Sequence, residues 1–312
     1  MHLFAWIFVL AFGYVFISLG VRMWRLPRQK RVRYLLRQLA LLTTFYLGLM
    51  LMLMWLERRL VFHPSPFPVA WQAPSGMNLQ EIELKTSDGN RLHAFWCPVP
   101  GARWTLLYNH GNAGHIAGRV DLVRNWQHQL GASVLIYDYP GFGRSTGVPD
   151  EKSCYAAAQA AYDWLRTEQK VPPEQLLLYG KSLGCAMATE MALRNPHRAL
   201  LLMSGFTSIP DMAQEMFPFF PARWMARTHF DNAAKLSQYR GVLLLAHGTD
   251  DPVIPYHHGL RLDAVAARTR WKSFLTVDGW GHFAPPESYY QAAANMLKTT
   301  PHEAITPVEP LP

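Results

Sequence analysis

Two long uncharged apolar runs open the chain, and short apolar runs alternating with amphipathic stretches fill most of the rest. Met1 to Val21 (HLFAWIFVLAFGYVFISLGV after the methionine) and Gln38 to Leu56 (QLALLTTFYLGLMLMLMWL) contain no charged residue. Crossing a bilayer takes about 20 apolar residues, and a helix crosses because it satisfies its own backbone hydrogen bonds there. The runs therefore predict a transmembrane helical hairpin over residues 1–59. A pair of buried core helices is the alternative, and the strongly basic loop between the runs argues against it. Residues 60–78 include the proline-rich VFHPSPFPVAWQAPSG, a linker that should stay extended.

Beyond it, LQEIELKT and RLHAFWCPV flank Ser87-Asp88-Gly89-Asn90, a hairpin signal. WTLLYNH, SVLIYDYP, QLLLYG, ALLLMSGF, GVLLLAHG and KSFLTVDG read as further strands. HIAGRVDLVRNWQHQLG, closed by glycine, reads as a helix, as do EKSCYAAAQAAYDWLRTEQ, after Pro149-Asp150, and PESYYQAAANMLK. Such alternation predicts an α/β domain over 79–298, its mostly parallel sheet covered by helices on both faces. Residues 206–239 interrupt the alternation with three prolines and the cluster Phe217, Phe219, Phe220 and Trp224, which reads as an inserted cap. Residues 299–312 form a proline-rich tail expected to be disordered. There is no internal repeat.

The net charge of +8 invites a nucleic-acid reading, but its distribution removes that reading. Residues 1–59 hold nine basic residues and one acid, while the rest of the chain holds 21 of each sign. The loop RMWRLPRQKRVRYLLR carries seven positive charges and no negative one. Short loops rich in Lys and Arg stay cytoplasmic. The domain after residue 60 is then expected on the other face, the periplasm if the source is bacterial, with the hairpin in the inner membrane. Arg58 and Arg59 oppose this slightly. The first run reads as an anchor rather than a signal peptide, since its start lacks a positive charge and no small-residue cleavage site is clear. Cys97, Cys154 and Cys185 are odd in number and match no metal spacing, so they read as buried side chains.

In a parallel sheet, ligands sit beyond the carboxyl ends of the strands. Gly180-Lys181-Ser182-Leu183-Gly184 follows the strand QLLLYG and precedes the helix-like CAMATEMALR. This strand, turn and helix would project the Ser182 hydroxyl above the sheet. A serine needs a base, usually a histidine held by a carboxylate. AHGTDDPVIP follows GVLLL and offers Asp250 and Asp251; GWGHF follows KSFLTVD and offers His282. His110-Gly111-Asn112-Ala113-Gly114 follows an earlier strand, and the backbone N–H groups of Asn112 and Leu183 are the candidate oxyanion donors. His110 and His115 lack the carboxylates a hydrolytic metal site would need, so no metal and no cofactor is expected.

HGNAG, DYPGFGRSTG, YGKSLG, HGTDDPVIP and GWGHF, in this order, resemble the α/β-hydrolase superfamily. They look most like its membrane-tethered, serine-aminopeptidase-like branch, which also contains protein depalmitoylases. The resemblance covers roughly residues 60–298, and ERRLVFHPSP is similar to the segment that enters the domain in relatives. It implies an α/β-hydrolase fold with a short cap, and the triad Ser182, Asp251 and His282, with Asp250 the alternative acid. Pro140 stands where many relatives carry Arg, and two expected spans replace a more usual single anchor.

The leading expectation is a membrane-anchored serine hydrolase acting on an ester or thioester of a small-molecule or lipid-linked acyl substrate. Phe217, Phe220 and Trp224 of the cap are the candidate contacts to an apolar group. A serine aminopeptidase is the alternative, with Asp211 or Glu215 to hold an amine. A non-catalytic membrane-held binding protein with a hydrolase fold is the alternative of another class.

Overall fold

The computed structural model describes residues 26–303 together with Val21, Trp24 and Ile305. The chain divides into two compact units, one of residues 1–57 and 213–227, the other of residues 58–212 and 228–312. The first expected span, Met1 to Val21, lies outside the described residues except for Val21. The second run lies within one long apolar helix, α1 (Arg28–Val61), of 34 residues. It starts within the basic loop and continues unbroken through the uncharged run. At 1.5 Å per residue such a helix is about 51 Å long, more than the ~30 Å of a bilayer's hydrocarbon. None of its residues is buried.

In the larger unit, eight strands form one sheet in the order β1-β2-β4-β3-β5-β6-β7-β8. They are β1 (Gln80–Lys85), β2 (Arg91–Cys97), β3 (Thr105–Asn109), β4 (Ser133–Tyr137), β5 (Leu176–Lys181), β6 (Ala199–Met203), β7 (Val242–Gly248) and β8 (Trp271–Val277). β1 and β2 pair as the antiparallel hairpin the Ser87–Asn90 turn predicts, and β2 runs antiparallel to β4. The remaining pairs are parallel. Every residue of β3, β4, β5, β6 and β7 is buried. Both faces of these strands are covered, so they read as unbroken apolar runs without polar alternation.

Successive side chains still go to opposite faces. Leu106, Ile136, Leu177, Leu201 and Leu244 pack with α2 (Val120–Leu130) and α8 (Glu287–Thr299). Leu107, Leu135, Leu178, Leu200 and Leu245 pack with α3 (Glu151–Thr167) and α4 (Gly184–Arg194). α2 ends at Gly131, whose φ of 60° lets its N–H reach the Gln127 carbonyl. α3 starts with a reciprocal capping box between Asp150 and Ser153.

The stretch 206–239 contains three short helices, α5 (Ile209–Met216), α6 (Ala222–Met225) and α7 (Asn232–Leu236). Its flanks belong to the larger unit, where Phe230 and Leu236 join the core. Its middle, 213–227, belongs with α1. There the Tyr46 and Phe220 rings stack with centroids 5.2 Å apart, and the Tyr46 hydroxyl donates to the Phe219 carbonyl at 3.1 Å. The Arg227 N–H donates to Glu57 Oε1 at 2.8 Å. Met216, Phe219 and Trp224 are exposed.

Candidate active site

β5 ends at Lys181, and Ser182 follows with φ 54°. A non-glycine residue there is strained by roughly 1–3 kcal/mol, and such strain persists only where the surroundings impose it. Two glycines make this turn possible. A Cβ on Gly184 would run into the Asn109 carbonyl oxygen, and one on Gly180 would lie 2.7 Å from Cys185 Cα. Ser182 is fixed by its N–H to the Met203 carbonyl at 3.0 Å and by its own carbonyl, which accepts from Cys185 N–H at 3.0 Å.

The loop after β3 lies against this turn, since a Cβ on Gly111 would be 3.4 Å from both Ser182 Cβ and the Lys181 carbonyl oxygen. His110 is fully buried and stacks on Tyr139 with centroids 4.2 Å apart, while the Tyr139 hydroxyl donates to the His110 carbonyl at 2.6 Å. Burial pushes the His110 imidazole down to about 4 against the opposing pull of Asp138, so the ring is neutral. Its role there is to brace the loop. Among the described residues, no acceptor takes the backbone N–H of Asn112 or of Leu183. Leu183 precedes α4, where the first N–H groups of a helix have no intrahelical partner.

β7 and β8 supply the other half. Asp251 follows β7, and both its oxygens are used. Oδ1 accepts the N–H groups of Val253 and Ile254, each at 2.9 Å. Oδ2 lies 2.6 Å from Nδ1 of His282, which follows β8. Burial alone would raise the Asp251 carboxyl, but the His282 hydrogen bond and the two backbone donors outweigh it and hold the group below the ordinary value. Asp250 is exposed, bonding Thr249 and the Trp280 carbonyl and not His282. Geometry thus separates the two aspartates. No hydrogen bond joins Ser182 Oγ to His282 among the described residues. Phe217, Phe220 and Trp224 belong to the other unit, Phe220 stacked on Tyr46 and Trp224 exposed.

Residues 105–233 match the profile of a family described as the alpha/beta hydrolase fold. An uncharacterised protein of Mycobacterium tuberculosis is 33% identical over 234 residues, covering 73% of this chain and 81% of its own length. The human alpha/beta hydrolase domain-containing protein 17B is 34% identical over 199 residues, 64% of this chain and 67% of its own. The chain belongs to the α/β-hydrolase family. Among solved structures, a Pyrococcus furiosus esterase aligns with TM-score 0.62 at 16% identity, over 76% of this α/β-hydrolase and 98% of its own chain. An acetyl xylan esterase from Paenibacillus sp. R4 aligns with TM-score 0.60 at 17% identity, over 79% and 93%. At these identities the two structures speak for the fold alone.

Two features of this α/β-hydrolase escape motif reading. The Lys181 side chain is buried, and its ammonium donates to the His282 backbone carbonyl at 3.4 Å. Burial and Arg119 push the ammonium down to about 8, while Asp251 opposes. Nothing in the pentapeptide signals this, because its second position admits many residues. The other is the Asn112 side chain, which holds the segment leaving α1. Its Nδ2 donates to the Val61 carbonyl at 2.6 Å, and its Oδ1 accepts the His63 N–H at 2.9 Å. Bridges from Pro64 to Gly114 and from Pro66 to Gly143 continue the attachment.

Proposed function

We propose that the chain is a membrane-anchored serine hydrolase that cleaves an ester or thioester of an acyl or lipid-like substrate through an acyl-enzyme. The observation that carries this reading is the 2.6 Å contact of Asp251 Oδ2 with His282 Nδ1, on loops beyond β7 and β8, combined with a left-handed Ser182 beyond β5. An acceptor on Nδ1 fixes the tautomer that leaves Nε2 free to act as a base. In this scheme His282 Nε2 takes the Ser182 hydroxyl proton while Oγ bonds to the acyl carbonyl carbon. The carbonyl oxygen becomes an anion and is met by the N–H groups of Asn112 and Leu183. The bond to the leaving oxygen or sulfur then breaks as His282 returns the proton to it, leaving Ser182 acylated. Water attacks the acyl carbon, giving its proton to His282, and the acid departs as Ser182 Oγ regains a proton.

The anchor is α1, whose uncharged run is long enough to span and whose residues are all unburied. The basic residues ahead of the uncharged run favour a cytoplasmic start, which puts the hydrolase unit on the opposite face, the periplasm in a bacterium. A reporter active only in the periplasm and fused after residue 65 tests this by being active. The aminopeptidase reading has weaker support, because Asp211 is already engaged by the Thr207 hydroxyl at 2.6 Å and by Arg261 at 3.7 Å. The decisive experiment is fluorophosphonate labelling of membranes. Wild type is labelled and Ser182→Ala is not; equal labelling would overturn the proposal.

A further inference from the structure

The segment 213–227 (AQEMFPFFPARWMAR) packs with α1, and three observations bear on what surrounds it. The first is depth. Arg227 N–H meets Glu57 at one end of the uncharged run, while the Phe219 carbonyl and the Phe220 ring meet Tyr46 near its middle. The distance from Glu57 to Tyr46 along the helix is about 16 Å at 1.5 Å per residue. Half the hydrocarbon thickness of a bilayer is about 15 Å. If Glu57 marks the interface, the loop tip lies near the bilayer midplane.

The second observation is the loop's own backbone. Irregular backbone at membrane depth needs its polar groups satisfied by protein. Pro218 and Pro221 have no N–H to satisfy. The N–H groups of Phe217, Phe220, Trp224 and Ala226 donate to the carbonyls of Ala213, Phe217, Pro221 and Ala222. The Gln214 side chain accepts from Arg223 N–H at 3.3 Å and donates to the Phe220 carbonyl at 3.1 Å. Tyr46 closes the Phe219 carbonyl. The third is the outer face. The tip Met216 to Ala222 is uncharged, with Glu215 before it and Arg223 after it. Phe219 is 52% and Trp224 87% exposed, and Phe45, Leu47 and Leu51 are exposed on α1.

We infer that residues 213–227 are a membrane-inserted loop whose outer face is covered by lipid acyl chains. The inference rests on the reading of α1 as a membrane span. It deepens the proposed function, since the substrates it favours are those whose acyl chain stays in the leaflet. Phe220 then serves as the loop's packing against the span, with Phe219 and Trp224 facing lipid.

Nitroxide labels on the full-length protein in phosphatidylcholine–phosphatidylglycerol vesicles test it. The three native cysteines are buried and leave the introduced ones as the reactive thiols. Labels at Phe219→Cys and Phe45→Cys should collide severalfold more with oxygen, which concentrates in hydrocarbon, than with a water-soluble nickel chelate. A label at the exposed Arg268→Cys should do the reverse. Nickel access at 219 with oxygen access at 45 overturns the loop but leaves the span standing. Nickel access at both removes the span and the loop together. Shielding from both reagents at 219 means that protein, not lipid, covers the loop, and overturns the inference. Trp224→Cys carries the same readout if Phe219→Cys does not fold.

Discussion

Leu107 in β3 and Leu47 in α1 both sit in leucine-rich apolar stretches, yet Leu107 has no exposed surface and Leu47 is 50% exposed. The larger unit uses its leucines on alternate faces of a sheet and covers both faces with helices. α1 buries none of its residues. Hydrophobicity therefore does two kinds of work along one chain. In the larger unit it excludes water and positions the ends of β3, β5, β7 and β8. In the smaller unit it leaves large apolar side chains such as Phe45, Leu47 and Leu51 exposed.

The comparison breaks most sharply at the proposed chemistry, whose candidates Ser182, Asp251 and His282 all lie in the larger unit. Ser182→Ala should lower kcat for p-nitrophenyl ester hydrolysis by roughly 10⁴–10⁶-fold. Asp251→Asn should lower it by about 10⁴-fold, through loss of the correct His282 tautomer. Asp250→Asn should stay within a few-fold, and an equal loss at Asp250 would reverse the assignment. Next comes packing. Leu107→Ala should cost about 2–5 kcal/mol in denaturant unfolding of the detergent-solubilised protein. Leu47→Ala should change it by no more than about 0.5 kcal/mol, as an exposed substitution does.

Two smaller effects sharpen the picture at the site. Asn112→Ala keeps the proposed backbone donor but releases the segment 61–63. Its kcat should fall by about 10–100-fold with KM nearly unchanged, as slight misplacement of a reacting group does. The other concerns Lys181. Its folded pKa of about 8 lies below the ordinary 10.5. Between those values the unfolded chain binds more protons, so this group makes stability rise with pH across that window. In Lys181→Met that part of the slope should vanish, as pH-dependent denaturant melts would show.

Much of this was legible because the information is local. The runs QLLLYG and GVLLLAHG declare buried strands, and the residues after each run define where a site can lie. The candidates Ser182, Asp250 or Asp251, and His282 could be read in the same way. The choice between Asp250 and Asp251 could not, because adjacent residues differ only in where a turn aims them; the hydrogen bonds of Val253 and Ile254 to Asp251 make that choice. Residues 206–239 read as one cap, yet the middle clusters with α1 and the flanks with the sheet unit. That division depends on partners more than 150 positions away, such as Tyr46 for Phe219, which no local pattern encodes. Segment 60–78 read as linker because prolines dominate it. Its first residues are anchored by Asn112, and the Phe62 ring is buried against Phe230 at 6.1 Å.

The Asn112 clasp sets where the hydrolase unit can be cut free. A protease acting between His63 and Pro66 would remove the two backbone partners of the Asn112 side chain and take Phe62 from the core. A released domain beginning at residue 67 would keep Ser182, Asp251 and His282 but lose the clasp, whereas one beginning at residue 58 keeps it. A cut within those few residues thereby separates α1 and undoes the clasp in a single event.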